Sequence, residues 1–590
     1  MPELNGLDPE LGELLTELID AHQNPPEKDD IPFLNIEQFK FWLRDHPNFA
    51  LEYKWISEGY SLGLEDRNPA KLSQHVRNFV RNTRELKEVL KRMGKEARRG
   101  YITPIKEKGH YVLTLICVPK TDSETGLKTA LRVARHASYS TKRTIAINDK
   151  IPKLFTGIDT LPNIKKYIRL LLEFDYVTLR DLKDAFRQLG LAQEDCEWIT
   201  YCVFNLKFRD QRQAYGVASA AANCQHFTEI LIWIFERHFL SPTQIQTVLV
   251  HIDDFIMGAH TEDEAIKMGE NFDKMCAALG VQISHAKSEN GIQEGIVHGF
   301  AFNLKNKTVH IPDLKYYEIM HALIMCIKYK KADGKALESI CGKIMHWAQF
   351  RRHAKILCYR IMGKIHRDIR ANKALRDKIF TIPTLILLEF SFWVQYCRFM
   401  RTVTMESIIH PPSITISGAT DASSKGGGFI VGPHYGSYRF SQTPNKHGLI
   451  HRQMDINRQE AHAVLMLLHN YRHVLTGQKL LLYIDNKSVM YSIFRNWSGS
   501  ARLMEFIHEI VLMLCIYKIE LHVDFIESEM NGLADSLSRF DFAKFLTIID
   551  DWNLEVDRSL TRLEYYADLQ IMEQTVNKDE IEKLINNVNF

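Results

Sequence analysis

The chain has 590 residues, 45% of them hydrophobic and 25% charged, and a net charge of only +3. This length exceeds what one core holds and implies a few domains. The composition excludes wholesale disorder, and the balanced charge excludes a strong global field, so any nucleic-acid surface must be a local patch.

The start, MPELNGLDPELGELL, is acidic and lacks the basic region and apolar core of a secretory signal. No apolar run is long enough to span a bilayer. Ten scattered cysteines with no C-x-x-C pair argue against a zinc knuckle or a secreted disulfide framework. They point to a reducing compartment, hence an intracellular protein, cytoplasmic and/or nuclear, with no membrane partner. Residues 1–75 read as an acidic, Pro-containing start with short helical pieces, and 76–99 as a basic helix stopped at Gly100. Strands begin with YITPIKEKGHYVLTLICVPK. DYVTLRDLKDAF at 175–186 is a strand running into a turn. The stretch 217–239 is a helix, with Ala221, Cys224, Phe227, Ile230, Leu231 and Ile234 at helical spacing. VLVHIDDFIMGAH at 248–260 reads as two short strands with the aspartates at the turn. Residues 312–400 are mostly helical and basic. After HPPS at 410–413 the order becomes three strands, helix, strand, helices, strand, helix, an α/β unit of domain size. The tail 546–590 is charged and helical.

Two adjacent carboxylates, Asp253 and Asp254, lie between apolar runs. Desolvating a carboxylate is costly, so the pair is reasonable in a tight hairpin if divalent cations neutralise it; Mg²⁺ takes a few carboxylate oxygens and keeps positions for water and phosphate. An isolated Asp-Asp is more often a solvated turn. Upstream, Asp181 ends a strand, with Asp184 and Phe186 close behind it. An acidic strand end and an acidic hairpin separated by an amphipathic helix can meet on one sheet. Three carboxylates could then hold two metal ions across a triphosphate, the chemistry of nucleotide polymerisation.

A second set of acids lies at element ends: Asp421 after SITISGAT, Glu460 near the start of NRQEAHAVLMLL, Asp485 closing LLLYID, and Asp535 in NGLADSLSR. Taken singly, Glu460 or Asp535 is more often a cap or a solvated charge. Four at element ends in this order is a far rarer coincidence.

On these residues the chain resembles reverse transcriptases. DLKDAF looks like their motif A, AYGVASAAANCQHF like motif B, HIDDF like motif C, and GVQISHAKS with VHGFAFN like motifs D and E. ICVPK and LKTALRVARH resemble the fingers strands. The resemblance implies metal-binding Asp181, Asp253 and Asp254. It also implies a steric gate at Phe186 that prefers dNTPs, the competing reading being a core aromatic. Gly216 would let backbone approach nucleotide and template. Lys120 and Arg132 are either triphosphate clamps or a solvated strand face. Lys287 is a candidate near the pyrophosphate. Asp184 either forms an Asx turn or serves the sugar pocket through its backbone. Motif B departs from the family at Ala220, Ala221 and Cys224, and His251 replaces the usual Tyr.

The second set resembles the ribonuclease H domain of retroelements. That implies Asp421, Glu460, Asp485 and Asp535 as a further two-metal site, cutting RNA in a hybrid with little regard to sequence. The histidine many such domains carry before the last acid is missing from DFIESEMN. TDAS, YIDNKSV, NGLADSLSR and GKIMHWAQF look most like the tyrosine-recombinase retrotransposons of the DIRS and Ngaro type.

The resemblance implies an α+β multidomain fold. Residues 1–95 are a helical extension, 96–305 the fingers and palm of a right-hand polymerase, 306–410 a helical thumb and connection, 411–545 an α/β ribonuclease H-like domain, and 546–590 a helical tail. The cofactor would be Mg²⁺, two per site, with Mn²⁺ as a substitute. Partners would be RNA template, DNA primer, RNA–DNA hybrid and dNTPs. Lys328, Lys330, Lys331, Arg351, Arg352, Lys355, Arg360, Lys364, Arg367 and Arg370 either track phosphates or form a solvated helical face. The helix with Lys91, Arg92, Lys95, Arg98 and Arg99 would hold template RNA or a partner protein. The competing function is a domesticated retroelement protein that binds nucleic acid or acts as a scaffold without DNA synthesis.

Overall fold

The structure is a computed structural model that describes residues 8–27, 34–65, 67, 78–106, 112–120, 130–139, 145–152, 163–244, 247–350, 359–364, 368, 372, 375–410, 413–440, 454–557, 563 and 577–587. The chain forms two compact units, Met1–Lys307 and Thr308–Phe590. Both mix helices and sheets, the α+β class expected. Among the described residues no helix is long and apolar enough to cross a membrane.

The first unit holds a four-stranded antiparallel sheet in the order Glu289–Ile292, Tyr176–Asp181, Asp254–Ala259, Val248–His251. Its two middle strands are buried over almost their whole length, the polar Thr178 and Arg180 included. Helices Ala220–His238 and Glu262–Leu279 share a core with the sheet, through Phe227, Leu231, Phe235 and Phe272 against Phe255 and Met257. The second helix starts at Thr261, whose hydroxyl accepts from Glu264 N–H, and ends at Gly280 in the left-handed region.

The same unit carries helix Thr83–Arg98, the antiparallel pair Leu115–Lys120 and Ala130–Arg135, and a small sheet containing Leu206–Asp210. The helix starts later than its sequence suggests because Asn82 caps Glu85 N–H. Its apolar stripe, Val89, Leu90, Met93 and Ala97, is buried. Its basic residues are not all free to meet a partner. Arg98 pairs with Glu17 at 3.0 Å, and Arg92 turns inward.

In the second unit, helices Asp313–Tyr329, Gly334–Trp347 and Thr384–Met400 are followed by a five-stranded sheet. Its order is His434–Arg439, Gly426–Val431, Ile416–Ala422, Lys479–Ile484, Glu520–Phe525. The first three strands are antiparallel and the last three parallel. Helices Ile456–Asn470 and Ala501–Ile516 are buried along most of their length. Helices Phe542–Asp551 and Lys578–Asn587 form the described parts of the tail.

Arg360 is not simply a solvated cation of the basic face: its guanidinium donates to buried Glu389 at 3.2 Å, which His508 also approaches at 3.0 Å. Arg351, Arg352, Lys355, Arg367 and Arg370 lie outside the described residues, as does the Lys364 side chain.

Candidate active sites

The strand Tyr176–Asp181 runs antiparallel to Asp254–Ala259, and the register makes Asp181 the direct partner of Asp254. Asp253 occupies the turn between Val248–His251 and Asp254–Ala259, and its carbonyl accepts Leu182 N–H at 3.1 Å. All three acids therefore meet at one end of one sheet. Asp181 is buried and the other two half-buried. Burial, and then the Asp181 charge, raises the Asp253 pKa. Burial, followed by Asp253 and Asp181, pushes Asp254 up to about 7. Lys287 lies against Asp181, Nζ to Oδ1 2.6 Å.

The turn that presents Asp253 contains Ile252 at φ +59°, a strained region for a β-branched residue. Helix Ala220–His238 holds it there: Gln225 accepts Ile252 N–H at 2.7 Å, and Cys224 Sγ lies 3.7 Å from Ile252 O. Cys224 is fully buried. Cys224 thus contacts the acidic hairpin's backbone.

Beside the acids, Phe186 is half-buried and its ring lies 5.0 Å from that of Tyr215. The exposed Arg132 covers the other ring, its guanidinium 4.8 Å from the Tyr215 centroid. Its charge also reaches Asp253, favouring the ionised form there. Tyr215 was not singled out in the sequence; the available signal was its place beside Gly216. At φ +102°, with an added Cβ only 1.9 Å from Arg135 O, Gly216 admits no side chain without movement. Lys120 is exposed at the end of its strand. The Asx turn considered for Asp184 does not form: its carboxylate caps no N–H of the short helix Ala185–Gln188 and instead accepts from Arg92.

In the second unit the end of strand Ile416–Ala422, the first turns of helix Ile456–Asn470 and the end of strand Lys479–Ile484 bring Asp421, Glu460 and Asp485 together. One oxygen from each lies within 4.8 Å of the others, close enough for the three to hold a metal ion. Burial, then Asp421 and Asp485, pushes Glu460 up to about 9. Asp421 is pushed up to about 6, burial again the larger cause. Asp421 Oδ2 and Glu460 Oε2 are buried without a hydrogen-bond partner among the described residues. Ser528 donates to Asp485 Oδ2 at 2.9 Å from the loop that lacks histidine.

Asp535 does not join that cluster. Arg539 donates to its Oδ1 at 2.5 Å and Lys544 approaches Oδ2 at 3.6 Å. It stays near enough for its charge to raise Asp421. Its helix, Gly532–Arg539, is seated on the sheet where Gly428, the cross-strand partner of Asp421, leaves space. A Cβ on Gly428 would lie 2.4 Å from Ser538 N and 2.7 Å from Ala534 O. Asn531, just before the helix, donates to Thr420 O at 3.0 Å and ties the two elements together.

Both donor sets are all-carboxylate, the hard-oxygen chemistry that suits Mg²⁺ or Mn²⁺. Burial first, and neighbouring acids after it, raise Asp253, Asp254, Asp421 and Glu460, and a bound divalent cation would offset both costs. The orphaned oxygens of Asp421 and Glu460 and the lysine drawn onto Asp181 fit a bound cation at each centre.

No family model matches the chain. A curated relative, the Gag-Pro-Pol polyprotein of sheep pulmonary adenomatosis virus, is 30% identical over 98 residues, which is 15% of this chain and 5% of the polyprotein. The chain therefore matches a small fraction of that relative's length. Among solved structures, a foamy viral protease-reverse transcriptase dRH in complex with ds DNA aligns over 86% of this chain and 85% of its own, at 13% identity and a TM-score of 0.44. The foamy viral protease-reverse transcriptase in complex with RNA/DNA hybrid aligns over 84% of this chain and 63% of its own, at 14% identity and a TM-score of 0.44.

Proposed function

We propose that the chain is a reverse transcriptase, an RNA- and DNA-directed DNA polymerase, joined to a ribonuclease H and derived from a retrotransposon. The observation that carries this reading is the register pairing of Asp181 with Asp254, with Asp253 in the adjoining turn. The separate cluster of Asp421, Glu460 and Asp485 supports the second activity. In this reading the first sheet is the palm, the strands around Leu115–Lys120 and Ala130–Arg135 belong to the fingers, residues 306–410 are thumb and connection, and 411–545 the ribonuclease H. The motif stretches TDAS, YIDNKSV and NGLADSLSR support the DIRS and Ngaro subgroup.

Asp181, Asp253 and Asp254 would hold Mg²⁺ at the first centre, and Asp421, Glu460 and Asp485 at the second, with Asp535 joining once released from Arg539. Bound Mg²⁺ supplies activation of the attacking oxygen and stabilisation of the leaving group. The chain's own residues do the positioning. Phe186 and Tyr215 form an aromatic wall against the sugar. Arg132, Lys120 and Lys287 offer positive charge to the triphosphate. Gly216 lets the backbone close on base and template. The partners are RNA template, DNA primer, the hybrid they form, and dNTPs.

The test is primer extension by the pure chain on an RNA template with Mg²⁺, alongside cleavage of an RNA–DNA hybrid with Asp421→Asn as control. Template-dependent dNTP incorporation and hybrid cutting abolished by Asp421→Asn are expected. Binding of nucleic acid without incorporation would favour the domesticated, non-synthesising protein.

A further inference from the structure

A chain of charges runs from Asp184, two residues before Phe186, into the interior. Arg92 of helix Thr83–Arg98 donates to both Asp184 oxygens, at 3.3 and 3.2 Å. Its Nε donates to Glu96 Oε1 at 2.7 Å. Glu96 Oε2 accepts from Arg135 at 2.8 Å and from Arg187 at 3.0 Å. Both arginines also pair with Asp210, at 3.0 and 2.7 Å. Glu96, Arg135, Arg187 and Asp210 are each no more than 1% exposed. The three cations, Arg92, Arg135 and Arg187, balance the three anions, Asp184, Glu96 and Asp210, as burial of charge requires.

Three details attach this network to the candidate nucleotide pocket. Asp184 sits at φ +50°, a left-handed conformation that Asp tolerates better than most side chains, and it leads directly into the short helix Ala185–Gln188 that carries Phe186. Arg187 is the neighbour of Phe186 and is anchored further by the Arg212 and Gln213 carbonyls, at 3.2 and 3.1 Å. Arg135 N–H donates to Tyr215 O at 2.8 Å. Both rings of the aromatic wall are thus one residue or one backbone bond from the buried charges. Arg92 is the link at the half-buried outer end, where a substitution disturbs the turn without emptying the core.

We infer that Arg92 is a positioning residue for nucleotide selection. By gripping Asp184 it fixes the turn that carries Phe186, so the helix ahead of the fingers strands helps decide which sugar is accepted. This rests on the polymerase reading. A pair serving the fold alone would affect melting temperature and leave substrate choice unchanged.

The test uses the full chain with Arg92→Gln, Arg92→Lys and Asp184→Asn, assayed by primer extension with dNTPs and rNTPs separately, with melting temperature measured alongside. Loss of a charge-assisted pair predicts that Arg92→Gln raises the dNTP KM about tenfold, changes kcat less, and weakens the preference for dNTP over rNTP. Arg92→Lys should recover part of the loss, because it keeps the charge without the forked geometry. Asp184→Asn removes the same pair from its outer end and covers the case in which Arg92→Gln folds poorly. An active unmodified chain whose variants keep both KM and sugar preference overturns the inference alone. Absence of incorporation by the unmodified chain overturns the polymerase reading and the inference with it.

Discussion

Asp181 and Asp254 face each other across two antiparallel strands that are otherwise buried. Side chains in such a pair stand about 5 Å apart, so two ionised carboxylates there repel strongly. With Asp253 adjacent, the protein holds three acids in a configuration it would not keep for stability alone. Asp181→Asn and Asp253→Asn are each expected to lower dNTP incorporation about a thousandfold while raising or preserving the melting temperature. Asp254→Asn should cost less activity, since its carboxyl, at about 7, carries the proton most readily of the pair with a resolved shift. Single-turnover primer extension separates these outcomes.

The second cluster makes stability depend on pH and metal together. Glu460 is raised to about 9 and Asp421 to about 6 by burial and neighbouring acids. A carboxyl with a raised folded pKa keeps its proton where the unfolded chain has lost it. The folded state then binds more protons, and stability falls as pH rises from about 4 towards 9. Melting curves in chelator should show this decline. Mg²⁺ should reverse it increasingly at higher pH, and Glu460→Gln should flatten it. Metal stabilisation that is equal at pH 5 and pH 8 would contradict the cluster as the binding site.

Asp535 is held by Arg539 and Lys544 rather than by its fellow acids. Asp535→Asn should reduce hybrid cleavage by only about tenfold, against about a thousandfold for Asp421→Asn. Arg539→Ala should lower the Mg²⁺ concentration needed for half-maximal cleavage. Equal losses for both aspartate variants would show that Asp535, once released from Arg539, contributes as much as the three clustered acids.

Gly216 has no room for even one methyl group, because Arg135 O would lie 1.9 Å from it. Gly216→Ala should cost more than about 1 kcal/mol in denaturant unfolding and shift Tyr215 away from Phe186. The expected functional result is a raised dNTP KM, with hybrid cleavage unchanged because its acids lie in the other compact unit.

Much of this was readable in the sequence because local chemistry dictated it. Alternation and apolar runs marked the strand ending at Asp181 and the one just before Asp485, and helical spacing marked Ala220–His238, where Cys224, Phe227 and Leu231 are buried. The acids stood out because they interrupt runs that otherwise bury themselves. What escaped were pairings across long sequence distance. Arg92 looked like one more charge on a basic helix, and only the fold sets it against Asp184. Lys287 reaches Asp181 in the same way. Tyr215 gained meaning only when Phe186 and Arg132 came to flank it. The Asp535–Arg539 pair was legible, since residues four apart on a helix are neighbours.

Gly428 sits directly opposite Asp421 and beneath the helix that carries Asp535. A methyl group there would work as a shim, lifting helix Gly532–Arg539 from the sheet by its own thickness. The trio of Asp421, Glu460 and Asp485 rides on other elements and would keep its spacing. The fourth acid's reach is therefore calibrated by a side chain that is missing, and a hydrogen atom serves as the gauge.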